Sequence, residues 1–182
     1  MHDVPALEQL ECRVWTELVR AVVDRHHEWR TPVLASVDAG GFPQARTVVL
    51  RRADPSARVL EVFTDRRTPK VVQLQTVPQA VVVFWSSRLH WQLRAQARAE
   101  VLADGPTVDE AWARLAQGAS AADYLAPRTP GTPLGVDAGE SGGGHHLAVL
   151  RFEVLSLDWL ALRREGHRRA RIDTAGAVWL EP

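Results

Sequence analysis

Two β-branched runs separated by Asp54-Pro55-Ser56 and followed at once by Thr68-Pro69 leave the segment from Arg46 to Lys70 few conformations. Val48 and Leu50 alternate with Thr47, Val49 and Arg51, and Arg58 to Thr64 is again β-branched and aromatic, so the step between them predicts a hairpin. Thr68 is placed to cap a helix that Pro69 starts. Lys70 then falls in the first turn, where unpaired amides and the helix dipole favour an anion. Arg46, Arg51, Thr64 and Lys70 can converge on one phosphate in this reading. Taken by spacing alone, the same residues fit better as solvated charges on strand ends.

The remaining segments supply the scaffold. From Pro5 to about His27, Leu7, Leu10, Val14, Leu18 and Val22 recur at helical spacing, with Asp3 as N-cap and His26 and His27 as surface groups closing the helix. Val33 to Val37 reads as a strand, Asp38 to Gly41 as a turn, and Pro43 to Arg52 as one returning strand. Pro78 stops the second helix, and Gln79 to Trp85 is apolar enough for a strand buried on both faces. His90 to Val101 alternates, setting Gln92, Arg94, Gln96 and Arg98 against Trp91, Leu93, Ala95 and Ala97. Thr107-x-x-Glu110 has the form of a capping box, a short helical piece spans Ser120 to Leu125, and Ala126 to Gly144 reads as a long loop. His146 to Leu157, Asp158 to Arg163 and a closing hairpin over Arg168 to Leu180 complete seven or eight antiparallel strands. The sum is a mainly β chain with helices, an antiparallel barrel with helical caps in one domain over residues 1–182.

Composition narrows the function. Lys plus Arg and Asp plus Glu number 22 each, so no global field points to nucleic acid, and any anion site must be local. Cys12 is the only cysteine, which excludes an internal disulfide and fits a reducing compartment. No run reaches the ~18 apolar residues of a membrane span, and the N-terminus lacks a signal-peptide core. These features predict a cytoplasmic protein that contacts neither membrane nor nucleic acid. His26-His27 and His145-His146 lack a third ligand at suitable spacing, so no metal is expected. Seven tryptophans, several on strands predicted to be partly exposed, suggest an apolar dimer surface.

The ordered motifs Arg46-Thr47-Val48-Val49-Leu50-Arg51, Val62-Phe63-Thr64-Asp65, Thr68-Pro69-Lys70, Trp91-Gln92-Leu93 and Trp159 followed by His167-Arg168-Arg169 resemble those of the pyridoxamine 5'-phosphate oxidase-like FMN-binding split-barrel family. The resemblance implies a split barrel, a homodimer and FMN in grooves between the chains. It also implies a cofactor set of Arg46, Thr47, Val48, Val49, Leu50, Arg51, Phe63, Thr64, Thr68, Lys70, Gln92, Trp159 and Arg169, with Trp159 and Arg169 reaching the flavin from the second chain. An FMN-dependent oxidoreductase follows as the expected activity, with a non-catalytic flavin carrier or sensor as the alternative; catalytic residues and substrate stay unassigned. No G-x-G-x-x-G follows a strand, which argues against a dinucleotide cofactor. Two departures from the family pattern bear on the substrate: Pro69 replaces an arginine, and Glu165 stands where the substrate-phosphate arginine begins. Pyridoxine 5'-phosphate is therefore expected to be a poor substrate.

Overall fold

A computed structural model describes residues 5–135 and 144–182. Helix α1 (Leu7–Val23) precedes a 3₁₀ turn (Glu28–Arg30) and strands β1 (Val33–Val37), β2 (Pro43–Thr47), β3 (Leu50–Asp54) and β4 (Val59–Asp65). Helix α2 (Pro69–Thr76), β5 (Gln79–Ser86), β6 (Trp91–Leu102), α3 (Pro106–Leu115) and a 3₁₀ stretch (Ala119–Tyr124) follow. Strands β7 (Leu147–Ala161), β8 (Arg168–Asp173) and β9 (Gly176–Leu180) close the chain. The expected Asp3 cap and residues 136–143 of the long loop lie outside the described residues.

Every recorded strand pairing is antiparallel, in the order β2-β1-β5-β6-β7-β4-β3, with β8 and β9 added beside β7. Strand β7 makes this possible by its length. Residues 149–161 pair with β6, while on the other edge residues 147–153 pair with β4 and residues 156–161 with β8. One strand therefore replaces the two expected between His146 and Arg163.

The expected continuous strand from Pro43 to Arg52 is broken. Val48 N–H donates to the Pro32 carbonyl at 2.9 Å, whereas Leu50 pairs with Val62, so β2 and β3 end on opposite edges of the sheet path. Only Val48 and Val49 join them, and three Cα steps span at most about 11 Å, so the sheet curls until its edges come close. The pairing ladder does not close there, and the expected barrel is met only as an open, curled antiparallel sheet with helices packed on it.

The core inside the curl holds Trp15, Trp29, Trp91 and Trp159, all buried, together with Leu10, Leu34, Phe84 and Phe152. This corrects the tryptophan argument: these indoles alternate inward with the core positions, and of the seven only Trp85, at 46%, is an exposed large side chain. Strand β5 is likewise buried on one face rather than both. A second cluster, Val108, Ala111, Leu115, Tyr124, Leu147 and Val149, packs α3 on the outside of β7. Helix α3 starts at Pro106 with Gly105 as cap and no side-chain cap bond, so the capping box is not formed. No helix of the described residues is long and apolar enough to cross a membrane.

His27 is not a surface group. Its Nε2 lies 2.9 Å from Glu17 Oε2, and its Nδ1 accepts from Trp29 N–H, so the neutral ring donates to the carboxylate and ties α1 to the 3₁₀ turn. Burial opposes ionisation of Glu17, yet the His27 bond and the charges of Arg20 and Arg88 outweigh it and hold its pKa below the usual value. Glu28 shows the same balance: burial raises its pKa, but the Ser86 and Ser87 hydroxyls and the Arg88 and Ser87 amides bring it down to about 2. A carboxyl whose pKa is depressed by folding contributes stability above its unfolded pKa, ~4.3 for Glu, and that contribution is lost as pH falls through the folded value. The thermal midpoint is thus expected to fall steeply from about pH 4.5 towards 2, and Glu28→Gln should flatten that decline. An unchanged slope in the variant would show that Glu28 plays no part.

Candidate functional site

Helix α2, packed on β1 and β6, carries part of the site. Thr68 precedes it with extended backbone, and Pro69 occupies its first position. The Thr68 hydroxyl caps nothing; it donates to the Asp65 carbonyl at 2.8 Å and stands 3.3 Å from Thr64 Oγ1. Lys70 Nζ donates to Thr64 Oγ1 at 3.0 Å, which uses one of its three N–H groups. One turn on, Gln73 Oε1 accepts from Arg46 at 2.9 Å and from Ser36 Oγ at 2.9 Å, and Arg46 also donates to Ser36 Oγ at 2.6 Å. Of the four residues expected to converge, Arg46, Thr64 and Lys70 are thereby gathered from β2, β4 and α2, with Thr68 beside Thr64.

The electrostatics of this cradle are unbalanced. Burial lowers the pKa of Lys70, and the nearby Arg46 charge lowers it further, with Asp65 working the other way. Burial likewise lowers that of Arg46. No carboxylate bonds to either cation among the described residues, because the Asp65 oxygens are taken by Arg67 at 2.6 to 3.2 Å. Two partly buried cations held together without a bonded acid make a local positive site that suits an anion.

Arg51 does not join them. Leu50 points into the core opposite Val62, so Arg51 emerges on the other side, over the Phe63 ring at 5.8 Å, with its charge near the Tyr124 hydroxyl. Its Nε is buried without a partner. The cause is the two-residue periodicity of strands, compounded by a register shift between Leu50 and Arg52. Thr47 is exposed, Val48 and Leu50 are buried, and Val49 is intermediate. These four shape the crossover rather than offer polar contacts.

Gln92 and Arg169 flank Leu160, so all three share the outer face. Trp159 lies between Leu93 and Ala170 on the inner face, 0% exposed, edge-on to Trp91 at 5.1 Å. The expected trio is therefore split by the sheet, and Trp159 packs in its own core. Arg169 is already engaged by Asp158 at 2.7 and 3.0 Å, which raises its pKa. Ser36 and Gln73, which the sequence reading leaves out, bond Arg46 within the cradle. Gln73 was findable, since it stands three positions after Lys70 on the same helix face.

The model of the pyridoxamine 5'-phosphate oxidase FMN-binding domain matches residues 12–103, half of the chain. The chain belongs to this family. Its cofactor is accordingly FMN. The matched span contains the whole cradle and Gln92 but stops short of Trp159 and Arg169. The pyridoxine/pyridoxamine 5'-phosphate oxidase of Chromohalobacter salexigens is 38% identical over 79 residues, 42% of this chain and 36% of that enzyme. The Cereibacter sphaeroides oxidase is 33% identical over 108 residues, 59% of this chain and 46% of the enzyme. The chain thus matches less than half the length of these relatives. Among solved structures, a pyridoxamine 5'-phosphate oxidase-related FMN-binding protein of Nostoc punctiforme superposes with TM-score 0.71 at 24% identity, over 94% of this chain and 96% of the other. PhzG of Burkholderia lata, solved with tetrahydrophenazine-1-carboxylic acid, gives 0.74 at 19% identity over 98% and 94%.

The cradle fits the cofactor's phosphate: Lys70 has uncommitted N–H donors, Thr64 a hydroxyl, Arg46 a guanidinium, and no acid competes. When bound, FMN supplies hydride and electron transfer. Arg46, Thr64 and Lys70 are the residues that would hold its phosphate end.

Proposed function

We propose that this chain is an FMN-dependent oxidoreductase, that residues 1–182 form one split-barrel unit, and that two copies share each flavin. The observation that carries the reading is a pair of partly buried cations, Arg46 bonded to Ser36 and Gln73 and Lys70 bonded to Thr64, with no carboxylate bonded to either among the described residues. The face relation supports the shared site. Arg46, Thr64 and Lys70 lie at the inner side of the sheet, while Gln92 and Arg169 lie on its outer side. A second copy laid over the first brings its Gln92 and Arg169 to the open end of the other's cradle. Gln92 can donate and accept at the polar edge of a flavin, and the Arg169 charge favours an anionic reduced ring. Exposed Val33, Trp85 and Leu155 give that outer face apolar area to bury.

The test is a visible spectrum of the purified protein, followed by anaerobic reduction and sizing by light scattering. Stoichiometric FMN in a dimer, reducible and reoxidised by an added acceptor, is expected. Protein that takes up no FMN on soaking defeats the reading, and bound flavin that never turns over with any acceptor favours a carrier instead.

Pyridoxine 5'-phosphate is expected to be turned over poorly. Glu165 lies on an exposed turn after β7, where its repulsion of a phosphate is screened, so Glu165→Arg should raise turnover only modestly. Efficient oxidation by the unmodified protein would refute the expectation. Polycyclic aromatic acids, the class bound by PhzG, are the first alternative substrates to assay.

A further inference from the structure

A second anion site lies away from the cradle, between the first half of α1 and the β7–β8–β9 end of the sheet. There a groove of about 1420 Å³ has Arg13 on its helical wall, Arg163 and Arg168 on its hairpin wall, and Trp91 and Trp179 between them. Glu8 is the only acid among the described lining residues, in a chain whose acids and bases balance. Neither Arg13 nor Arg168 belongs to a recorded ion pair among the described residues. The exposed Arg168 guanidinium is held 4.3 Å over the Trp179 ring, which fixes a flat cationic surface at the groove wall.

These features define a ligand. Cations on facing walls suit a group with two linked anionic centres, and a stacked guanidinium beside an indole suits a flat ring. The volume exceeds the ~300–1000 Å³ usual for small-molecule pockets, so the groove admits an elongated molecule. We infer that this groove binds a nucleoside diphosphate group, the base lying on Arg168 and Trp179 and the diphosphate between Arg13 and the hairpin. Because no G-x-G-x-x-G follows a strand, guanidinium forks replace backbone amides as the donors.

The experiment titrates FMN-loaded protein with ADP, NADPH, inorganic pyrophosphate and adenosine by calorimetry. ADP or NADPH should bind more tightly than pyrophosphate or adenosine, and the order of those two tells whether the source is a free nucleotide or a dinucleotide. Arg13→Gln and Arg168→Gln should each weaken ADP about tenfold or more, the effect of losing a charge-assisted contact. Trp179→Leu should reduce ADP affinity towards that of pyrophosphate, and flavin content should stay unchanged in all three variants. ADP binding that survives Arg168→Gln, or that disappears in Lys70→Ala instead, overturns the assignment. So does pyrophosphate binding as tightly as ADP. The site does not depend on the flavin reading: protein lacking FMN would fail the spectrum yet still report these affinities.

Discussion

Lys70→Ala will weaken FMN binding by about 1.5 to 3 kcal/mol, roughly tenfold to a hundredfold in Kd, while riboflavin affinity barely changes. The asymmetry follows from geometry. Lys70 spends a single N–H on Thr64 and carries no structural ion pair, so its loss removes a phosphate donor and leaves the packing intact. Arg46→Ala should give a similar loss with an added cost in thermal stability, because Arg46 also holds Ser36 and Gln73. Fluorescence titration of the apoprotein with FMN and with riboflavin measures both. Equal losses for the two flavins would show that the substitution acts through folding and that the cradle does not hold the phosphate.

Trp159→Ala will cost about 3 to 5 kcal/mol of folding stability, the usual range for truncating a buried tryptophan. The indole is fully buried against Trp91 and Trp179, at ring distances of 5.1 and 6.3 Å. Its Nε1 is buried without a partner, so the packed rings, not a polar contact, hold it. Chemical denaturation of the variant is the measurement, and Trp159→Phe, which keeps part of the ring volume, should recover a good share of the loss. A Trp159→Ala protein that unfolds like the parent but no longer binds FMN would place the indole at the flavin and refute the packing described above.

Most of the scaffold was legible because its signals are local. The Asp54-Pro55-Ser56 turn, the Pro69 start of α2 and the alternation of β6 each follow from a few neighbouring residues, and each appears within a residue or two of its expected place. The failures share another cause. That β2 and β3 belong to opposite edges depends on where Val48 and Leu50 find partners, Pro32 and Val62, and nothing in Pro43 to Arg52 announces a break. Strand parity then decides the site. A phosphate cluster read from spacing counted Arg51 with Arg46, although the pleat sends Arg51 to Phe63 and Tyr124. The same parity parts Trp159 from Arg169. His27 deceived for a different reason: its partner Glu17 lies on the preceding helix, reachable only once the chain has turned.

The two-residue link at Val48–Val49 leaves five-residue strands β2 and β3 as neighbouring free edges, with Arg46 on one and Lys70, through Thr64, beside the other. Unpaired edges are templates for intermolecular pairing. An anion gripping both sides acts as a clasp across that seam, and by mass action its saturation at a hundred times Kd adds about 2.7 kcal/mol to the folded state. Flavin supply during synthesis should therefore govern how much of the chain stays out of aggregates, which makes the cofactor a folding partner as well as a reagent.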